Sequence, residues 1–195
     1  MPSYGLIVEG DGDLCVFEHL IRKVNSPGAA IYPLQCGGVN RLMKVFPALL
    51  KRFEYSHEGG PVDGALVIRD SDNKPIDEVL KQMAEKLENR NYKFPRGVEL
   101  CCVHRKLDTW LLADESAINA VSQSRGGKTI ARINETLEDI VRPKERLQKV
   151  LSEAKLNYSP AVLGEIAAQI DLQQLAYRVR SFERFRQSVL KIWIR

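Results

Sequence analysis

Four short apolar runs alternate with amphipathic stretches along the first half of the chain, and this alternation limits the fold more than any other feature. The runs are Tyr4–Val8, Ala29–Leu34, Ala65–Ile68 and Val98–Val103. Between them, Leu14 to Val24 places Phe17, Leu20, Ile21 and Val24 at helical spacing. Val39 to Tyr55 does the same with Leu42, Val45, Phe46, Leu49, Leu50 and Phe53, and the stretch after Pro75 with Ile76, Val79, Leu80, Met83 and Leu87. Strand and helix in turn predict an α/β fold with about four mainly parallel strands flanked by helices. Pro33 marks its run as an edge strand or a strand end. Pro47 inside a helical stripe predicts a kink or two helices meeting. Pro75 suits an early helical position, and Asn89-Arg90-Asn91 the end of that helix.

Acidic residues close three of the four runs. Tyr4–Val8 leads into Glu9-Gly10-Asp11-Gly12-Asp13, Ala65–Ile68 into Arg69-Asp70-Ser71-Asp72, and Val98–Val103 into His104-Arg105-Lys106-Leu107-Asp108. Open α/β sheets bind ligands beyond the carboxyl ends of their strands. Continued in extended geometry, Asp70 and Asp72 would point to the same side. Two carboxylates so close need a proton or a cation between them, and hard oxygen ligands favour Mg2+ or Mn2+. Glu9, Asp11 and Asp13 crowd a glycine-containing turn before a helix. They would repel a phosphate directly, and no Gly-Lys-Ser/Thr follows, which excludes a P-loop and argues against a dinucleotide fingerprint. Simpler readings stand beside these. Asp-Ser-Asp-Asn suits an exposed turn, and Asp11 and Asp13 suit a helix cap. Arg105 and Lys106 are candidates to touch a phosphate.

With 195 residues, 44% hydrophobic and 28% charged, the chain suits one globular domain with a small appendage. No apolar run approaches a membrane span, and no basic leader precedes the first strand, so a cytoplasmic protein without membrane contact is expected. Cys15, Cys36, Cys101 and Cys102 form no C-x-x-C pair and read as reduced thiols. His19, His57 and His104 lack zinc-ligand spacing. Residues 1–119 carry 15 basic and 17 acidic side chains, net −2; residues 120–195 carry 14 and 8, net +6. A basic C-terminal part beside an acid-bearing core suits a nucleic-acid surface next to a metal site. It equally suits a solvated helical surface.

The division expected is an α/β core over 1–119 and a helical extension over 120–195 packed on it. Thr129 to Val141 reads as helical, with Ile130, Ile133, Leu137 and Ile140 on one face. A helix through Leu147, Val150 and Leu151 comes after Pro143. Ser159-Pro160 gives a cap with proline in the first turn, and Asp171-Leu172-Gln173-Gln174 resembles a capping box. Arg178 to Arg195 interleaves aromatic and basic residues, as an amphipathic helix packed on the core or a nucleic-acid surface would.

Ile7-Val8-Glu9-Gly10-x-x-Asp13, followed by a strand ending Asp70-x-Asp72, resembles the TOPRIM fold of topoisomerases, primases and OLD-type nucleases. Leu107-Asp108-Thr109-Trp110-Leu111-Leu112-Ala113-Asp114 and Ser181-Phe182-Glu183-Arg184-Phe185 narrow the resemblance to an uncharacterised bacterial family of TOPRIM-like proteins, often encoded beside an AAA-type ATPase. That family tends to carry glutamate where this chain has Asp108. The resemblance implies a Rossmann-like TOPRIM sheet and Mg2+- or Mn2+-dependent cleavage of DNA or RNA in a bacterial defence or toxin-like system. Asp70 and Asp72 would hold the principal ion, and Glu9 would ligate it or act as general acid/base. Asp108 and Asp13 would complete a second metal site, and Arg105, Lys106 or Arg69 would neutralise phosphate charge. Neither a strand-passage tyrosine domain nor a zinc-binding appendage accompanies these motifs, which disfavours topoisomerase and primase. Two alternatives remain open: a non-catalytic TOPRIM scaffold regulating an ATPase, and a D-x-D phosphohydrolase with Asp70 as nucleophile.

Overall fold

The computed structural model describes residues 2–25, 28–55 and 61–193, the last without the Trp193 side chain. His57 and the polar loop expected from Ser56 lie outside the described residues, Pro61 excepted. The chain adopts the expected α/β class. Its order opens β1(Ser3–Val8), α1(Asp11–Asn25), β2(Ala30–Gln35), α2(Val39–Phe53), β3(Gly64–Asp70), α3(Ile76–Glu85), β4(Val98–Val103). The four strands form one parallel sheet in the order β2-β1-β3-β4. β2 is an edge strand, which is where Pro33 can forgo a ladder donor. α2 runs as one helix through Pro47, whose carbonyl accepts from the Tyr92 hydroxyl at 3.0 Å.

Every residue of the central strand β3 is buried, and its side chains divide between two apolar clusters by simple alternation. Leu66 and Ile68 join Tyr4, Leu6 and Val8 on one face; Ala65 and Val67 join Ile7 and the buried faces of α2 and α3 on the other. A sheet buried on both faces explains why its strands read as continuous apolar runs. Gly5 allows close packing on the second face: a Cβ there would meet the Phe53 ring at 2.5 Å.

The first face is covered by α1 and by the elements C-terminal to β4: α4(Asp108–Leu111), α5(Glu115–Ser124), a 3-10 turn (Leu137–Asp139), α6(Pro143–Glu153), α7(Pro160–Gln169), α8(Leu172–Arg178) and α9(Ser181–Trp193). Fully buried Trp110 is the hub, edge-on to Phe17 and Phe182 and beside Phe185. α9 therefore turns Phe182 and Phe185 inward, as an amphipathic helix packed on the core. Ser159 caps α7 through Val162 N, with Pro160 in its first turn. Asp171 caps α8 through Gln173 N and Gln174 N, while Gln174 reaches to Ala113 O instead of completing a box.

One helix expected from spacing does not form. Between Thr129 and Thr136 the backbone is irregular. Its polar groups are held by side chains from distant helices: Asn119 accepts from Ile130 N and donates to Ile130 O, Glu115 accepts from Ile133 N, and Arg178 donates to Ile133 O. These bonds replace the intrahelical ladder, and Ile133 and Leu137 are buried without it. No disulfide links the cysteines; Cys36, Cys101 and Cys102 are buried and Cys15 is partly so. Among the described residues no helix is long and apolar enough to cross a membrane.

Candidate carboxylate site

The carboxyl edge of the sheet gathers Glu9, Asp13, Asp70 and Asp108, each with one oxygen fixed by a donor. Glu9 follows β1, and its Oε1 accepts from Asp70 N at 3.0 Å. Asp13, in the first turn of α1, accepts from Gly10 N at 2.9 Å. Asp70 ends β3 and accepts from Leu107 N at 3.2 Å. Asp108 opens α4 and accepts from the Tyr158 hydroxyl at 2.7 Å. Burial, reinforced by the charges of Asp13 and Asp72, pushes the Glu9 carboxyl up to about 6. Burial and the charge of Asp108 do the same for Asp13, to about 6. Buried Asp70 is pushed well above the usual carboxylate range by desolvation, then by Asp13 and Glu9. Their mutual effect marks a cluster short of positive charge.

Asp72 stands apart. β3 ends at Asp70, so the extended geometry that would align the pair stops there. Asp72 adopts a left-handed φ of 52°, as does Arg105 at 53°. Crossing hydrogen bonds lace the two turns: Ser71 N to Val103 O at 2.8 Å, Asp72 N to Arg105 O at 3.0 Å, and Arg105 N to Ser71 Oγ at 2.8 Å. A left-handed arginine is costly and persists only where its surroundings enforce it. The Asp72 side chain, 41% exposed, turns to Lys106, whose Nζ lies 2.7 Å from Asp72 Oδ1 and 3.9 Å from Asp70 Oδ2.

The three cations expected to meet phosphate occupy different settings. Arg69 is buried, with Nε donating to Asp70 O at 3.2 Å. Arg105 braces the loop before α6 through Asp139 O at 3.2 Å and Ile140 O at 2.9 Å. Lys106 alone of the three lies between the carboxylates and solvent. It lines a cleft of about 270 Å³ with Asp72, Asn73, Arg105, Arg142, Lys144 and Gln148 among its walls. Sequence reasoning missed Arg142, Lys144 and Tyr158. Burial and the neighbouring Asp108 raise the Tyr158 phenol, and Lys144 Nζ lies 5.3 Å from its ring centroid. The Ser159-Pro160 cap marks where α7 begins, but nothing in it signals that Tyr158 meets Asp108.

Outside Leu107 and Asp108, which belong to the site, the two longer motifs serve the scaffold. Asp114 caps α5 through Ser116 N and Ala117 N and accepts from Asp171 N at 2.8 Å. Phe182 and Phe185 pack on Trp110, and Ser181 N donates to Glu138 at 2.9 Å.

The donor set fits a hard divalent cation chemically: carboxylate oxygens alone, crowded and short of countercharge. Among the described residues no three His, Cys, Asp or Glu side chains already converge on one point. The cation beside the Asp70/Asp72 pair is the Lys106 ammonium.

Comparison with protein-family models and with curated proteins finds no match. Among solved structures, similarity extends to the C-terminal region of the Burkholderia pseudomallei OLD protein, with 18% identity, a TM-score of 0.43, and coverage of 95% of this chain and 98% of that one. A hypothetical protein from Pyrococcus horikoshii OT3 is similar at 18% identity, with a TM-score of 0.48, over 100% of this chain and 98% of its own.

Proposed function

We propose that the chain is a TOPRIM-like, Mg2+- or Mn2+-dependent nuclease that cleaves phosphodiester bonds of DNA or RNA. The observation that carries this reading is the meeting of Glu9, Asp13, Asp70 and Asp108 at one edge of a parallel sheet, where burial and mutual charge raise three of them. Asp70 and Asp72 would hold the principal ion, Glu9 would ligate it or act as general acid/base, and Asp13 with Asp108 would hold a second. Bound there, divalent ions supply an activated water and neutralise the leaving oxygen.

The chain's own groups have definite tasks. In the metal-free protein burial pushes the Glu9 carboxyl up to about 6, so where it does not ligate the ion it can take a proton and return it near neutral pH. Its Oε1 is fixed by Asp70 N, which leaves Oε2 for that role. The Asp70 amide and Leu107 N hold Glu9 and Asp70 in place without consuming both oxygens of either. Tyr158 orients Asp108. Lys106, Arg142 and Lys144, lining the adjoining cleft, would meet phosphate charge. We include in the proposal the AAA-type ATPase partner that the family resemblance implies, to be sought by co-purification.

The test is cleavage of labelled DNA and RNA in Mn2+ by the wild type, Glu9→Gln and Asp70→Asn. Each variant is expected to lose roughly 100-fold or more in rate while remaining folded. Activity within a few-fold of wild type in both would remove the reading. The non-catalytic scaffold has one observation in its favour: the Lys106 ammonium already pairs with Asp72 and lies 3.9 Å from Asp70. Ion binding with no cleavage of any substrate, alone or with the ATPase, would select it.

A further inference from the structure

Lys106 stands where a divalent ion would have to go. Its ammonium bridges Asp72 Oδ1 at 2.7 Å and Asp70 Oδ2 at 3.9 Å. An ion held by the same pair would sit about 2.0–2.6 Å from those oxygens. A dication and an ammonium on the same carboxylates repel one another, so the two occupants exclude each other.

The displaced side chain has somewhere to go. Lys106 is 38% exposed and forms a wall of the cleft that also contains Arg105, Arg142 and Lys144. Arg105 is tied to the Asp139 and Ile140 carbonyls, and Arg142 pairs at 3.3 Å with exposed Glu145. Asp72 and Glu145 also line this cleft, but with Asp72 on the ion and Glu145 paired with Arg142 a further ammonium leaves positive charge in excess, which an anion would relieve. The anion that suits a ring of lysine and arginine is a phosphate.

We propose that Lys106 is an exchangeable counter-cation: it holds Asp70 and Asp72 in the metal-free protein, competes with the divalent ion, and once displaced joins Arg142 and Lys144 in binding a phosphate of the nucleic-acid strand. The inference rests on the metal-dependent reading above. Ion and strand then bind cooperatively, and the coupling is reciprocal.

The test is calorimetric titration of Mn2+ into wild type, Lys106→Met and Lys81→Met, each checked for folding by circular dichroism. Lys106→Gln, which keeps a hydrogen-bond donor toward Asp72, replaces the methionine variant if that one does not fold. Lys106→Met is expected to bind Mn2+ about tenfold tighter than wild type. Lys81→Met, on the exposed side of α3 and outside both the carboxylates and the cleft, removes an equal charge, and its affinity is expected to stay within about threefold of wild type. In fluorescence anisotropy with an end-labelled single-stranded DNA, Ca2+ is expected to strengthen binding by wild type more than by Lys106→Met. Equal Mn2+ affinity in all three proteins, or equal gains in the two lysine variants, overturns the exchange and leaves the metal site standing. Binding by none of them removes the metal reading and the inference with it.

Discussion

Glu9 and Asp13 illustrate how a residue can be well placed for a ligand and badly placed for stability. In the unfolded chain their carboxyls titrate near 4; in the folded chain burial and neighbouring acids push each to about 6. Between about pH 4 and 6 the folded protein therefore holds more protons than the unfolded one. Stability contributed by these groups falls as pH rises through that window and stays low above it. The metal-free protein should melt higher at pH 5 than at pH 7. Glu9→Gln and Asp13→Asn retain an oxygen to accept from Asp70 N and Gly10 N but carry no charge. Each is expected to stabilise the metal-free protein at pH 7 by on the order of 1 kcal/mol, and to flatten the pH dependence. Thermal unfolding at the two pH values checks this. Variants that melt lower than wild type at pH 7, with its pH slope intact, would show that these carboxylates are not strained by one another.

At the scale of elements, the segment between α5 and α6 is held by side chains, among which Arg178 makes three bonds. Arg178, nearly buried, donates to Glu115 Oε1 and Ala113 O, and to Ile133 O in the irregular stretch. Removing one partner of a buried ion pair costs about 3–5 kcal/mol. Arg178→Ala is expected to lose that much in denaturant unfolding. Arg178→Lys should restore little, because an ammonium cannot fork between the three acceptors. A loss below about 1 kcal/mol in Arg178→Ala would mean that the stretch holds itself. The same stretch shows where sequence reading stops. Ile130, Ile133, Leu137 and Ile140 have a helix's spacing, yet Asn119, Glu115 and Arg178 capture the backbone from elsewhere in the chain. Periodicity registers which residues are buried, not what satisfies their amides. Where the deciding chemistry is local, sequence and structure agree: Pro33 lies on an edge strand, Ser159-Pro160 opens α7, and apolar runs became strands. At the site, Glu9 and Asp70 stand at strand ends, where strand boundaries alone put them. The left-handed turn of Asp72, and the approach of Tyr158, Arg142 and Lys144, arise from tertiary contacts with no local signature.

At the scale of the whole molecule, we propose that residues 1–119 and 120–195 are two parts of one folding unit. The apolar cluster on the first face of the sheet is continuous across that boundary: Phe17 and Trp110 from one side pack against Phe182, Phe185, Leu163 and Ile166 from the other. Gly164 marks how closely they meet, since a Cβ there would approach Cys15 Cβ at 3.2 Å. Each large apolar side chain contributes about 1.5–3 kcal/mol by burial. Exposing even a handful would exceed the roughly 5–15 kcal/mol typical of a whole domain. The second face, covered by α2 and α3, would remain intact, so a fragment of 1–119 should keep helical content but lose fixed packing around Trp110. It is expected to show no cooperative melt, a weakened near-ultraviolet tryptophan signal and dye binding to exposed apolar surface. Adding 120–195 as a separate chain should restore cooperativity. Such a fragment would also lack Tyr158, Arg142 and Lys144, so its carboxylates would lose the orienting hydroxyl and the cationic wall together. A 1–119 fragment that melts cooperatively and binds Mn2+ as the full chain does would place both folding and ion binding within the α/β core, leaving the helical part to the strand and its partners.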